Sequence, residues 1–155
     1  MNESSKLIIQ KEGNVLKHET RIRVRFSDTD LNGHVNNAVY ATYMEESRIA
    51  FVREVFPDDR LSLVLASLHI DYRAQTHYPE HQWVVATTWL TRIGRSSFEF
   101  YCEIRSEEGV LLCEGTAVVV NFDFVAQTSQ PLSDEVKARL SQYLVQKEDC
   151  DATRV

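Results

Sequence analysis

The segment Arg25-Phe-Ser-Asp28-Thr-Asp30-Leu-Asn32-Gly33-His34-Val-Asn36-Asn37-Ala-Val-Tyr40 gathers carboxylates, asparagines, a glycine and a histidine between two apolar stretches. Polar residues packed this densely beside apolar segments either cap a helix or form a site. Here the pattern predicts both. A carboxylate would face a helix N-terminus, where free backbone N–H groups and the macrodipole stabilise developing negative charge. That pairing suits attack on a carbonyl.

Four chemistries compete for these residues. A calcium loop matches at Asp28, Asp30, Asn32 and Gly33, but its twelfth position should be a bidentate glutamate and is Val39. A strand pattern also precedes it where a helix is required. A phosphotransfer aspartate pair belongs to alternating strands and helices, which this chain with one long helix does not show. A transition-metal site from Asp28, Asp30 and His34 lacks a clear fourth ligand. His18, His69, His77 and His81 show no ligand spacing and read as surface or loop residues. No metal is therefore expected. Acyl transfer to water needs a carboxylate as nucleophile or general base, which Asp30 supplies. It also needs an oxyanion hole, which the start of the following helix supplies through backbone N–H. Gly33 allows the sharp bend that brings the two together.

The flanking elements must position this segment. Thr20 to Phe26 alternates, with Ile22, Val24 and Phe26 on one side and Arg21, Arg23 and Arg25 on the other, which predicts a half-buried strand. A helix is expected from Asn37 to Val55, capped by Asn36 or Asn37 and stopped by Pro57. Its apolar face would carry Tyr40, Tyr43, Met44, Ser47, Phe51 and Val55, with Glu45, Glu46, Arg48 and Arg53 mostly elsewhere. Period-two patterning then predicts strands near 62–74, 81–93, 97–106 and 110–124, with turns at Ser106–Gly109 and Ile93–Ser96. A second amphipathic helix is expected from Ser133 to Gln146, capped by Ser133. Residues 1–18 and 148–155 read as peripheral tails of one domain. Cys102 and Cys113 are expected as buried free thiols near each other across a hairpin. Strand, long helix, then four strands predicts an α+β fold in which one antiparallel sheet curls around a central helix. Its open edges favour pairing with another subunit.

Composition narrows the function. The formal charge is −6 and the pI about 5.4, against the basic balance of a general nucleic-acid binder. No apolar run is long enough to span a bilayer, and the first ten residues lack a secretory signal. A cytoplasmic location is expected.

At this point the residues resemble a known family. The pattern Arg25-Phe-Ser-Asp28-Thr-Asp30-x-x-Gly33-His34-Val35-Asn36-Asn37-x-x-Tyr40-x-x-Tyr43, continuing to Glu45-Glu46-x-Arg48, resembles the hotdog-fold acyl-CoA thioesterases, closest to their 4-hydroxybenzoyl-CoA thioesterase-like branch. The resemblance implies a five-stranded antiparallel sheet around the long helix, and a homodimer or homotetramer with sites at the subunit interface. It implies hydrolysis of a thioester between an acyl group and coenzyme A or acyl carrier protein, without a metal or redox cofactor. The family's catalytic aspartate falls on Asp30 and its oxyanion donor on the backbone N–H of Asn37. His34 would orient the loop or contact substrate, and Tyr40 would pack or line the acyl pocket. Asp28 is expected to hold the loop backbone, and Glu45 and Glu46 to be helix-surface or interface residues. Arg92, Arg95 and Ser96, around the Gly94 turn, are candidates for the coenzyme A phosphates, since a chain of charge −6 must hold them by local contacts. Two rival readings are a hotdog hydratase or dehydratase using Asp30 with His34, and a non-catalytic acyl-CoA binding protein.

Overall fold

The computed structural model describes residues 5–9, 15–58 and 61–145. The elements are β1 (Ser5–Ile9), β2 (Leu16–Arg23), a 3-10 turn at Phe26–Asp28, α1 (Asn37–Val55), β3 (Leu63–Tyr72), β4 (Trp83–Ile93), β5 (Ser97–Ser106), β6 (Leu111–Asp123), β7 (Thr128–Ser129) and α2 (Asp134–Ser141). The strands form one antiparallel sheet in the order β1-β2-β4-β5-β6-β3, with β7 paired to β6. The long helix packs on the strands at the middle of this order, which is the hotdog arrangement. Among the described residues, no helix is long and apolar enough to cross a membrane.

Strict alternation builds the sheet's inner face. Phe98, Phe100, Cys102 and Ile104 of β5 are buried while the residues between them are not. On α1, Tyr40, Tyr43, Met44, Ser47 and Phe51 form the buried stripe, as their spacing predicts. Two apolar clusters result. One joins Tyr40, Tyr43 and Met44 to Val84 and Ile104 near the start of the helix, and the other joins Phe51 to Leu90, Phe98 and Leu140 near its end.

Five expectations need correction. The lead-in before residue 18 is not all peripheral: β1 and the start of β2 are paired strands, while residues 1–4 and 10–14 and the tail 148–155 lie outside the described residues. His18 is fully buried, with Nε2 2.8 Å from Glu54 Oε2, because it continues the inward series of Thr20, Ile22 and Val24. The strand ends at Arg23, and Phe26 turns out to 77% exposure in the 3-10 turn. Helix α2 stops at Ser141 because the chain then joins β4: Leu90 N–H donates to Tyr143 O, and Val145 N–H to Leu90 O. The two extra strands, β1 and β7, also widen the expected five-stranded sheet.

Cys102 and Cys113 are buried free thiols, offset in register: Cys102 faces Gly115, and Ile104 faces Cys113. Burial pushes Cys102 up to about 11 and Cys113 up to about 12, against 9.0 for an ordinary thiol. The folded state therefore holds these protons more tightly than the unfolded chain. Stability from this source is complete below pH 9 and falls as pH rises toward 12, by up to about 1.4 kcal/mol per pH unit for each thiol. Melting curves between pH 8 and 11 are expected to show this decline, and to show less of it in Cys113→Ala measured against its own value at pH 8. An equal slope in that variant would count against the assignment.

Candidate active site

The loop between β2 and α1 is held by its own polar residues. Asp28 is 9% exposed, and its Oδ2 accepts from the Arg25 N–H at 2.9 Å and from the Tyr43 hydroxyl at 2.7 Å. Burial first, and then the Asp28 carboxylate, hold the Tyr43 hydroxyl well above its ordinary value, so it stays a donor. Asp28 is thus committed to the loop, as its sequence context suggests. Asp28 O also accepts from the Asn36 N–H at 2.9 Å, which fixes the approach to the helix.

Asp30 caps the bend. Its Oδ1 accepts from the Asn32 N–H at 2.8 Å and from the His34 N–H at 3.3 Å. Its own N–H donates to His34 O at 2.8 Å. Gly33 closes the turn at φ 73°, the left-handed region that glycine enters without a Cβ clash. Among the described residues no group bonds the other carboxylate oxygen, Oδ2. One oxygen therefore anchors the loop and the second is available.

The helix start is capped by Asn36, whose side chain accepts from the Ala38 N–H at 2.9 Å, while the Val39 N–H returns to Asn36 O. Among the described residues no acceptor takes the Asn37 N–H. Asp30, His34, Asn37 and Tyr40 line one cleft of about 440 Å³. Asp30 also lines a second hollow, with Phe26, Leu31 and Tyr78. Asp30, with its free carboxylate oxygen, and Asn37, with its free N–H, thus line one cleft at the positive end of a helix dipole.

The far wall was not legible from the motif. Tyr72 and Arg73, at the end of β3, line the same cleft, and the Tyr72 hydroxyl donates to Asn37 O at 2.9 Å. The only hint was the polar Asp71-Tyr72-Arg73 end of an otherwise apolar strand. Arg73 brings a cation to the cleft, offset by Asp71 at 3.6 Å and Glu114 at 3.5 Å. Tyr40 is buried and shares a 2.6 Å hydrogen bond with Thr76, and burial raises its hydroxyl pKa. His77 also belongs here: its ring meets that of His34 edge-on at 4.4 Å. The Tyr78 N–H donates to Gly33 O, so the 73–82 loop braces the bend.

Arg92, Arg95 and Ser96 are not brought to this cleft within one chain. The register pairs Arg23 with Trp83 beside the Asp30 loop, so the β4–β5 turn lies at the other end of β4. At roughly 3.4 Å per residue, that is about 30 Å away. The metal set is likewise not assembled: Asp28 turns into the core and Asp30 into its loop, and among the described residues no three His, Cys, Asp or Glu side chains are placed to hold an ion.

Residues 24–140 match the model of the thioesterase-like superfamily. The chain belongs to that superfamily. An uncharacterised Bacillus subtilis protein, YsmA, is 30% identical over 124 residues, covering 77% of this chain and 82% of its own. The structure described as a predicted thioesterase from Bacillus stearothermophilus is 31% identical with a TM-score of 0.75, covering 84% of this chain and 98% of that one. A Thermus thermophilus thioesterase solved with coenzyme A and zinc is 29% identical with a TM-score of 0.70, covering 79% and 90%. Membership supports thioester hydrolysis as the general chemistry and accounts for the hotdog fold. The matched span includes the whole Asp30 loop and both walls of its cleft.

Proposed function

We propose that this thioesterase-superfamily chain hydrolyses acyl-CoA or acyl carrier protein thioesters to free acid and thiol, as a member of the 4-hydroxybenzoyl-CoA thioesterase-like branch. One observation carries the reading. Asp30, which keeps an unbonded carboxylate oxygen, and Asn37, which keeps an unbonded N–H, line the same cleft.

The thioester carbonyl lies against the helix start, with its oxygen toward the Asn37 N–H. Charge developing on that oxygen is stabilised by the N–H and the helix dipole. Asp30 Oδ2 then acts in one of two ways. As general base it removes a proton from water, the oxygen of which bonds to the acyl carbon. As nucleophile it bonds to the acyl carbon itself, and water later hydrolyses the resulting anhydride. In both routes the C–S bond breaks, its electron pair leaves with sulfur, and the thiolate takes a proton from solvent. Coenzyme A enters as part of the substrate, and this mechanism uses no resident cofactor. Arg73 is the guanidinium in this cleft, and a phosphate would compete for it with Asp71 and Glu114; the Thermus relative bound to coenzyme A makes that carrier the first to test. His34 positions the loop through its backbone. Its bonds to Asp30 are main-chain on the histidine side, so the His34 ring is not engaged with Asp30.

The chain would act as a homodimer or a dimer of dimers. Strand β3 ends the sheet and exposes Leu65 and Leu68 beside an unpaired main chain, and such an edge is covered by another strand or left prone to aggregation. Thiol release from short, long and aromatic acyl-CoAs tests the activity. Turnover of at least one class is expected. Saturable binding without release across the whole panel would favour the binding protein, and hydration of an enoyl-CoA the hydratase.

A further inference from the structure

Strand β3 alternates up to its last residue, so Tyr72 lies on the same face as Ile70, which packs on the apolar cluster near the start of α1. Tyr72 stands beyond that core and is 48% exposed. Its place is nevertheless fixed. The main chain is held to β6, because the Arg73 and Ala74 N–H groups both donate to Leu112 O, at 2.8 and 3.1 Å. The ring meets that of Tyr40 edge-on at 5.7 Å, and Tyr40 is itself buried and bonded to Thr76. From this footing the hydroxyl reaches Asn37 O, 2.9 Å away.

Neither partner needs this bond for its own sake. Phenylalanine would pack on Tyr40 equally well. Asn37 O is already the acceptor for the Ala41 N–H in the regular i to i−4 pattern of α1, and Asn37 and Tyr72 are both exposed to water. What the bond supplies is a fixed position. First turns of helices fray, and this first turn carries the Asn37 N–H that no acceptor takes among the described residues. Asn36 holds the turn through the Ala38 N–H. Among the described residues, Tyr72 is the one side chain that bonds the main chain of Asn37 itself. A donor stabilises developing charge only while it is held in place, and a shift of about 1 Å can cost roughly 100-fold in rate.

We propose that Tyr72 is a positioning residue for thioester hydrolysis: its hydroxyl pins the first carbonyl of α1 to the end of β3, and so holds the Asn37 N–H in place for the thioester oxygen. This rests on the role proposed above for Asn37. Tyr72 touches no reacting atom in this arrangement, since its proton is engaged with Asn37 O. The same bond sets the spacing between the helix start and Arg73, the next residue along, on the far wall of the cleft.

Replacing the hydroxyl alone tests this, with kcat and KM from thiol release beside amide hydrogen exchange and a thermal melt. Tyr72→Phe keeps the ring. It is expected to lower kcat about tenfold, with KM within about twofold and the melting temperature within about 2 °C of wild type. Exchange of the Ala41 N–H, read without substrate, is expected to quicken about fivefold, because its acceptor is no longer anchored. Tyr72→p-aminophenylalanine restores an N–H donor of the same reach and should recover kcat to within about threefold of wild type. A fall in kcat with unchanged exchange, or a rise in KM alone, would put the hydroxyl on the substrate and overturn the positioning role. Wild-type kcat in Tyr72→Phe overturns it too, as does an early melt that the amino variant fails to restore. Each of these results leaves the roles of Asp30 and Asn37 standing, because the wild type still turns over a thioester. A wild type that turns over none overturns the hydrolytic reading and the part of Tyr72 in it together.

Discussion

Asp30→Asn is expected to lower kcat for thioester hydrolysis about 1,000-fold, with the melting temperature moved by no more than about 2 °C. The two effects separate because the carboxylate has two jobs on two oxygens. Oδ1 accepts from the Asn32 and His34 N–H groups, and an asparagine oxygen can keep both bonds. Oδ2 has no partner among the described residues, so replacing it with an amide removes charge and basicity without unmaking a protein contact. An amide neither deprotonates water nor attacks a thioester at neutral pH. Binding of substrate should survive, since the cleft keeps its shape. The measurement is kcat and KM by thiol release beside a thermal melt. A folded variant that retains a tenth or more of the wild-type kcat would remove Asp30 from the mechanism. A variant that melts early would show that the carboxylate is mainly a loop anchor.

Gly115→Ala is expected to destabilise the fold by about 3 kcal/mol, which lowers the melting temperature by roughly 6–12 °C in a chain of this size. Gly115 lies in β6, opposite Cys102 of β5 and Ile70 of β3. A methyl group added there would overlap the His69 carbonyl oxygen, with Ile70 Cα close behind at 3.2 Å. Both are backbone of the adjoining strand, which cannot rotate aside as a long side chain would. Relief requires β3 to move away from β6. That strand carries Tyr72 and leads into Arg73, so the cleft wall should loosen and KM should rise as well. Gly109→Ala is the control. It has φ 93° but nothing within 4 Å of the added carbon, so its cost is backbone strain alone, about 1 kcal/mol. Equal melts for the two variants would show that β3 can give way freely at this point.

Local order was legible wherever one periodicity ran through a segment. The alternation of Phe98, Phe100, Cys102 and Ile104 needs only a one-sided sheet, and the spacing of Tyr40, Tyr43, Met44, Ser47 and Phe51 needs only a one-sided helix. The loop motif carried its own bonding logic, because Asp30, Gly33 and Asn36 satisfy backbone groups within a few residues of themselves. The same logic places Asn36 or Asn37 at the cap and Asp28 on the loop, and the structure selects Asn36. The misplaced residues were those whose surroundings come from distant parts of the chain. His18 reads locally as a surface or loop residue although it continues an inward series, because its partner Glu54 is 36 positions away. Phe26 keeps the alternation of the strand but follows the 3-10 turn outward.

By itself the sequence determined the hotdog order of elements and a self-capped aspartate bend at a helix start, since propensity, alternation and short-range hydrogen bonds act within about a dozen residues. Only the tertiary structure decided which distant side chains share a cleft. Antiparallel register brings Tyr72 and Arg73 to Asp30 and carries Arg92, Arg95 and Ser96 to the far end of β4. Arg48, a polar residue by every local measure, is buried in a groove lined by residues of α1 and β3 together with Phe100 and Val119. Register and packing are long-range properties, set by the whole sheet at once, and no window of residues contains them.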